Sequence, residues 1–210
     1  MSDAILARLE ALEAELKEYR DREAIREMIH RYCQAVDRCD LDMLKSCYWE
    51  DGYDDHGFFA GNAHEFADYV IPCLQKVDSS MHSITNTRFR FDGDRCACTS
   101  QWHVVHRLAH DEGFTDFLHQ GRYLDVWEER HGEWKLLHRI IASDFDRWVH
   151  TPDIRSAMTD TPNATLRGCR GADDPGNLWF GVLEHRPERP AMEDLWAMFH
   201  GISALDRAGD

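Results

Sequence analysis

His82 opens the stretch Met81-His-Ser-Ile-Thr-Asn-Thr-Arg-Phe-Arg-Phe91, in which residues begin to alternate with a period of two. An imidazole titrates near neutrality, so it takes and returns a proton at little cost, which suits a general base or acid. It suits equally well a polar residue that starts a strand. Asp37 closes a helical pattern, where the helix dipole disfavours negative charge, so a special purpose is a better account than a solvated acid. Strand alternation puts Leu137, Arg139 and Ile141 on one face, so a guanidinium interrupts an apolar stripe. Such a group needs an anionic or hydrogen-bonding partner, either a carboxylate within the fold or a substrate.

Three further polar residues fall on faces that a cavity could use. Alternation groups His106 with Trp102 and Val104 and leaves His103 on the other side, unless a one-residue slip exchanges the faces. Asp54 and His56 share one face of an earlier strand, where they either contact substrate or form a polar rim. A metal centre is disfavoured: an extended His103-x-x-His106 points its rings apart. No H-E-x-x-H, paired C-x-x-C, phosphate-binding glycine loop or G-x-S-x-G elbow occurs.

The elements that must position these groups follow from spacing. Ile5, Leu9, Leu12, Leu16 and Tyr19 recur at steps of four and three, and Ile25, Met28, Ile29, Tyr32 and Val36 continue the helical pattern. Either a short helix over 1–21 leads into a second, or one long helix breaks near Arg20–Arg22. Two heptads do not prove a coiled coil; an apolar seam on its own domain or on a neighbouring subunit explains them equally. Asp40 caps a helix over Leu41–Tyr48, and Asn62-x-x-Glu65 opens one from Ala63 to about Val77, with Pro72 expected to kink it. Four strands are expected near 84–91, 95–108, 115–130 and 133–147, with turns at Asp92-Gly93-Asp94 and His131-Gly132. Helices followed by an antiparallel meander is an α+β order. From Val149 prolines interrupt the pattern, and only Met192–Leu205 looks helical. The 149–210 segment therefore reads as an extension wrapping the domain or a neighbouring subunit.

The 210 residues carry 39 acidic and 24 basic side chains, a net charge of −15. That balance argues against nucleic acid and against an anionic membrane surface as partners, since both are bound through Lys and Arg. The start of the chain has neither the basic opening nor the apolar run of a secretory signal, and no apolar run is long enough to span a bilayer. Seven dispersed cysteines fit reduced thiols and a cytoplasmic location.

Taken together, Tyr32-Cys-Gln-Ala-Val-Asp37, Asp54-Asp55-His56-Gly57, Ile71-Pro72, the stretch around His82, Asp125-Val-Trp-Glu-Glu-Arg-His-Gly-Glu-Trp-Lys135 and Trp134–Arg139 resemble the SnoaL-like proteins of the nuclear-transport-factor-2-like superfamily. Over residues 22–148 the order is most similar to bile acid 7α-dehydratases, scytalone dehydratases and hexachlorocyclohexane dehydrochlorinases. The resemblance implies a cystatin-like cone, a curved antiparallel sheet packed on N-terminal helices, with a pocket at its open end. It implies a homotrimer or homodimer and a cofactor-independent lyase of the dehydratase type. In that chemistry His82, supported by Asp37, takes a proton, while Arg139 and Tyr32 stabilise or protonate the departing oxygen. Where the dehydrochlorinase has lysine this chain has Tyr32, which favours an oxygen leaving group. His106, Asp54, His56, Trp102, Tyr123, Trp127 and Phe58 are the expected substrate contacts, for a bulky aromatic or polycyclic hydroxylated small molecule. Formaldehyde-releasing carbon–carbon cleavage of lignin-derived diarylpropanes, isomerisation or polyketide cyclisation, and ligand binding without turnover are the alternatives.

Overall fold

The computed structural model describes residues 3–111, 113–151, 168–171 and 174–176. The chain divides into two compact units at Pro152–Asp153. The first unit runs α1 (Asp3–Arg38), α2 (Leu41–Ser46), β1 (Tyr48–Asp55), β2 (Ala60–Asn62), α3 (Ala63–Leu74), β3 (Ser79–Asp92), β4 (Arg95–His110), β5 (Gly113–Arg130) and β6 (Glu133–Thr151). The six strands form one sheet in the order β2-β1-β6-β5-β4-β3. Every pairing is antiparallel except β1 with β6, which is parallel and makes the sheet mixed.

α1 is one helix, without the expected break at Arg20–Arg22. Arg20 and Arg22 are good helix formers, and the Lys17–Asp21 and Glu18–Arg22 pairs bridge the region at i,i+4 spacing. The two halves of α1 differ in burial. Ile5, Leu9, Leu12, Leu16 and Tyr19 are exposed, whereas Ile25, Ile29, Tyr32, Cys33 and Val36 are buried. Capping follows the sequence closely. Asp40 accepts from the Met43 N–H at 2.9 Å, and Asn62 accepts from the His64 and Glu65 N–H groups at 2.8 and 3.2 Å. α2 stops at Ser46 because Tyr48 already belongs to β1, and α3 ends at Leu74, within one turn of Pro72.

The four long strands run slightly beyond their expected limits. Both connecting turns contain two residues, with Gly93 at φ 61° and the His131-Gly132 pair at 57° and 83°. This left-handed geometry suits a tight hairpin. The inward face stacks residues in rows, Cys96 beside Trp127 beside Leu136, and Cys98 beside Asp125 beside Arg139. α1 and α3 cover this face through Ile25, Ile29, Tyr32, Phe66 and Val70.

One expectation about β6 is corrected. Trp127 pairs with Leu136 and Val126 with His138, so Leu137 is an extra residue in a bulge. Leu136, not Leu137, therefore faces the core, and the phase change then turns Arg139 inward. β6 also continues through 149–151, where the extension had been expected to begin. In the second unit the Asp174 carboxylate accepts from the Cys169 and Gly176 N–H groups, each at 2.9 Å. The rest of 149–210, including the expected helix Met192–Leu205, lies outside the described residues. Among the described residues no helix is long and apolar enough to cross a membrane.

Candidate active site

A cavity of about 110 Å³ lies between the helices and the inward face of the sheet. α1 contributes Tyr32 and Val36, the loop after β1 His56 and Phe58, and α3 Val70 and Leu74. His82 enters from β3, Trp102, Val104 and His106 from β4, His119 and Tyr123 from β5, and Ile141 from β6. Four imidazoles and two phenols are its ionisable walls, and no carboxylate lines it. Among the described residues no group of three or more His, Cys, Asp or Glu converges in a metal-ligand arrangement.

His82 is held by Asp37 at two points. One carboxylate oxygen accepts from the His82 backbone N–H at 2.9 Å, and the other faces the ring Nδ1 at 2.6 Å. A carboxylate on Nδ1 keeps the proton on that nitrogen and leaves Nε2 with a lone pair, the arrangement a base needs. The cost of placing Asp37 at the end of α1 is offset by these two short bonds. The His106 ring stands edge-on to His82 at 5.7 Å between centroids and has Ser80 Oγ at 2.9 Å from its Nδ1.

A second histidine–carboxylate pair faces the same cavity. His56 Nδ1 contacts Asp54, and the other Asp54 oxygen accepts from the Tyr48 hydroxyl at 2.5 Å. The His56 ring stacks on Phe66 at 4.3 Å and 18°, with its Nε2 3.4 Å from the Tyr32 hydroxyl. Asp54 itself is fully buried, is absent from the cavity lining and stands behind His56.

Arg139 sits behind this wall. It is 0% exposed and is absent from the cavity lining. Its Nε and Nη2 make parallel 2.8 Å bonds to the two Asp125 oxygens. Its guanidinium carbon lies 4.3 Å from the Tyr32 ring centre and 3.8 Å from that of Tyr123. Of the two partners that the sequence left open, the structure supplies the internal carboxylate. Arg139 thus influences the cavity through the two tyrosines. Burial pushes the Tyr32 phenol well above its usual range, and the charge on Arg139 offsets part of that rise.

The remaining expected contacts divide. Trp102, Tyr123, His106 and His56 line the cavity, and Phe58, 64% exposed, stands at its rim. Trp127 is core beside Leu136 and does not reach it, and Asp54 stands behind His56. His119 is an addition. Its Nε2 lies 2.9 Å from both Ser143 Oγ and Asp146 Oδ1, its ring meets Trp102 edge-on at 4.5 Å, and burial lowers its pKa. The alternation that turns Tyr123 inward also turns His119 inward, so the signal was present in β5.

Residues 17–140 match the SnoaL-like domain model. This chain belongs to the SnoaL-like family. Among solved structures, the fold is similar to a putative scytalone dehydratase from Novosphingobium aromaticivorans, at 18% identity and TM-score 0.57, covering 64% of this chain and 91% of that one. It is also similar to a hexachlorocyclohexane dehydrochlorinase from Novosphingobium barchaimii, at 19% identity and TM-score 0.58, covering 64% and 94%. A third is a protein of the nuclear-transport-factor-2-like superfamily with a cystatin-like fold from Novosphingobium aromaticivorans, at 24% identity and TM-score 0.52, covering 63% and 87%. At these identities the likeness is one of fold. This chain's fold is thus similar to that of dehydratase- and dehydrochlorinase-type proteins.

Proposed function

We propose that this protein is a cofactor-independent lyase that eliminates water from a small hydroxylated molecule. The observation that carries this reading is the two-point grip of Asp37 on His82, which leaves Nε2 as a base directed to a walled cavity. In the proposed step His82 Nε2 takes a proton from carbon, the C–H electron pair forms a double bond, and the C–O bond breaks toward oxygen. Tyr32, backed by Arg139, meets the departing oxygen. Four aromatic side chains, Tyr32, Trp102, Tyr123 and Phe58, suit an aromatic substrate.

The cavity volume narrows the substrate class. About 110 Å³ is below the roughly 300–1,000 Å³ of most ligand pockets and is near the size that holds a single ring. A one-ring substrate, or one ring of a larger molecule whose remainder lies past Phe58, fits better than an engulfed polycycle. A carboxylate-based isomerase fits poorly, because the nearby carboxylates Asp37 and Asp54 are both committed to histidines.

The test is turnover of a panel of hydroxylated aromatic and polycyclic compounds without added cofactor, read by mass spectrometry for wild type and His82→Ala. Loss of water that disappears in the variant supports the dehydratase reading. Loss of formaldehyde that disappears identifies carbon–carbon cleavage by the same base. Equal product from both proteins overturns the role given to His82.

A further inference from the structure

We infer that His56, backed by Asp54, is the proton source for the departing oxygen, passing its proton through the Tyr32 hydroxyl. This rests on the lyase reading above. An elimination of water needs a base at carbon and an acid at oxygen, at two different places in the cavity. Of the three cavity imidazoles that meet a carboxylate, His82 and His56 do so through Nδ1, which leaves Nε2 for proton transfer, whereas His119 meets Asp146 through Nε2. His82 enters from β3, whereas His56 enters from the loop after β1.

The fixing of His56 goes beyond what a rim residue needs. Its ring is stacked on Phe66, its Nδ1 is bound to Asp54, and its Nε2 faces Tyr32. Asp54 lines no part of the cavity, and its contact with a cavity imidazole is the bond to His56 Nδ1. The Tyr48 hydroxyl occupies the second Asp54 oxygen and holds the carboxylate in place. Tyr32 alone is a poor acid, because burial resists formation of its phenolate. A neighbour that refills its proton as it leaves removes that obstacle.

The step balances as follows. His82 Nε2 gains the carbon-bound proton. The C–H pair becomes the new π bond, and the C–O bond breaks with its pair going to oxygen. That oxygen takes the Tyr32 proton while Tyr32 takes the proton from protonated His56 Nε2, so water leaves and Tyr32 is unchanged. The cycle ends with His82 protonated and His56 neutral, and exchange with solvent restores both.

The experiment compares two probes with one carbon skeleton, 3-hydroxy-1-phenylpropan-1-one and 3-chloro-1-phenylpropan-1-one. Both give phenyl vinyl ketone, but chloride departs without a proton. Initial rates are measured for the full chain and for His56→Gln, Asp54→Asn and His82→Ala. The expected result is a fall of at least roughly 100-fold in the ratio of hydroxide to chloride elimination in His56→Gln and Asp54→Asn. His82→Ala is expected to lose both.

Equal slowing of both probes in His56→Gln and Asp54→Asn, or slowing of neither, overturns the acid role while leaving His82 as base. Chloride elimination that survives His82→Ala, or is absent from wild type, overturns the lyase reading and this inference with it. Thermal unfolding checks each variant, and if His56→Gln fails to fold, the isosteric Asp54→Asn carries the comparison.

Discussion

Replacing Asp37 with asparagine reverses the polarity of His82 without changing the shape of the site. The His82 backbone N–H can only donate, so it claims the amide oxygen of the new side chain, as it now claims Asp37 Oδ2 at 2.9 Å. The amide NH2 is then left facing Nδ1, where Asp37 Oδ1 stands at 2.6 Å, and it needs a lone pair there. The proton moves to Nε2, and the nitrogen that faces the cavity becomes a donor. A wrong tautomer costs a His–Asp catalytic pair about 10⁴ in rate. A loss of about 10³–10⁴ is expected here, or roughly 4–5.5 kcal/mol at about 1.36 kcal/mol per tenfold. Stability should barely change. About 1 kcal/mol of charge-assisted bonding is lost, and relief of a negative charge at the α1 C-terminus returns about 0.3–1 kcal/mol. The assays are ¹⁵N NMR of the His82 ring at a pH where it is neutral, and kcat/KM on the panel substrate. An Nδ1-bound proton in both proteins, or turnover within tenfold of wild type, would refute the reasoning.

Arg139→Met leaves Asp125 buried without its partner and should cost about 3–5 kcal/mol in urea unfolding, while Arg139→Met with Asp125→Leu should recover most of that loss. Gly121→Ala places a Cβ 2.1 Å from the Ala142 carbonyl oxygen and 2.6 Å from Trp102 Cζ2, so it should cost about 1–3 kcal/mol or more by chemical denaturation. His119 has a native pKa lowered below the ordinary 6.5, so below that value the unfolded chain binds the extra proton more readily. Its contribution to stability is fully present above about pH 6.5 and is lost as pH falls through it, ending at the lowered native value. Stability measured from pH 7.5 to 5 should therefore fall less steeply in His119→Gln.

The sequence carried much of this site because strand alternation and capping are local. Trp102, Val104 and His106 share a face as their spacing requires, and Asn62 caps α3 where it was expected. What escaped depends on neighbours far along the chain. Arg139 meets Asp125 through the cross-strand register of β5 and β6, which a bulge at Leu137 sets and no spacing announces. The same bulge exchanged Leu137 for Leu136 in the core. The removal of Trp127 from the cavity and the small volume lined by Tyr32 and Tyr123 are results of side-chain packing. His119 was readable from the period of β5, but a histidine on a largely aromatic face carries no mark of its own.

The parallel pairing of β1 with β6 has a bearing on how the molecule assembles. β3 to β6 form a meander joined by short turns and can zip sequentially, each strand on the one before. β1 joins the sheet at Leu136, whose N–H bonds the Cys47 carbonyl at 2.9 Å, and that partner is synthesised long after β1 itself. Contacts between distant parts of a chain bear the larger loop-closure cost and form late. Asp54 and His56 ride on β1 and its loop, so this histidine–carboxylate pair takes its place only when β1 docks. Refolding followed by tryptophan fluorescence should therefore finish its main phase on the meander before the cavity can accept a ligand, and substitutions at the β1–β6 seam should delay recovery of binding more than recovery of the sheet.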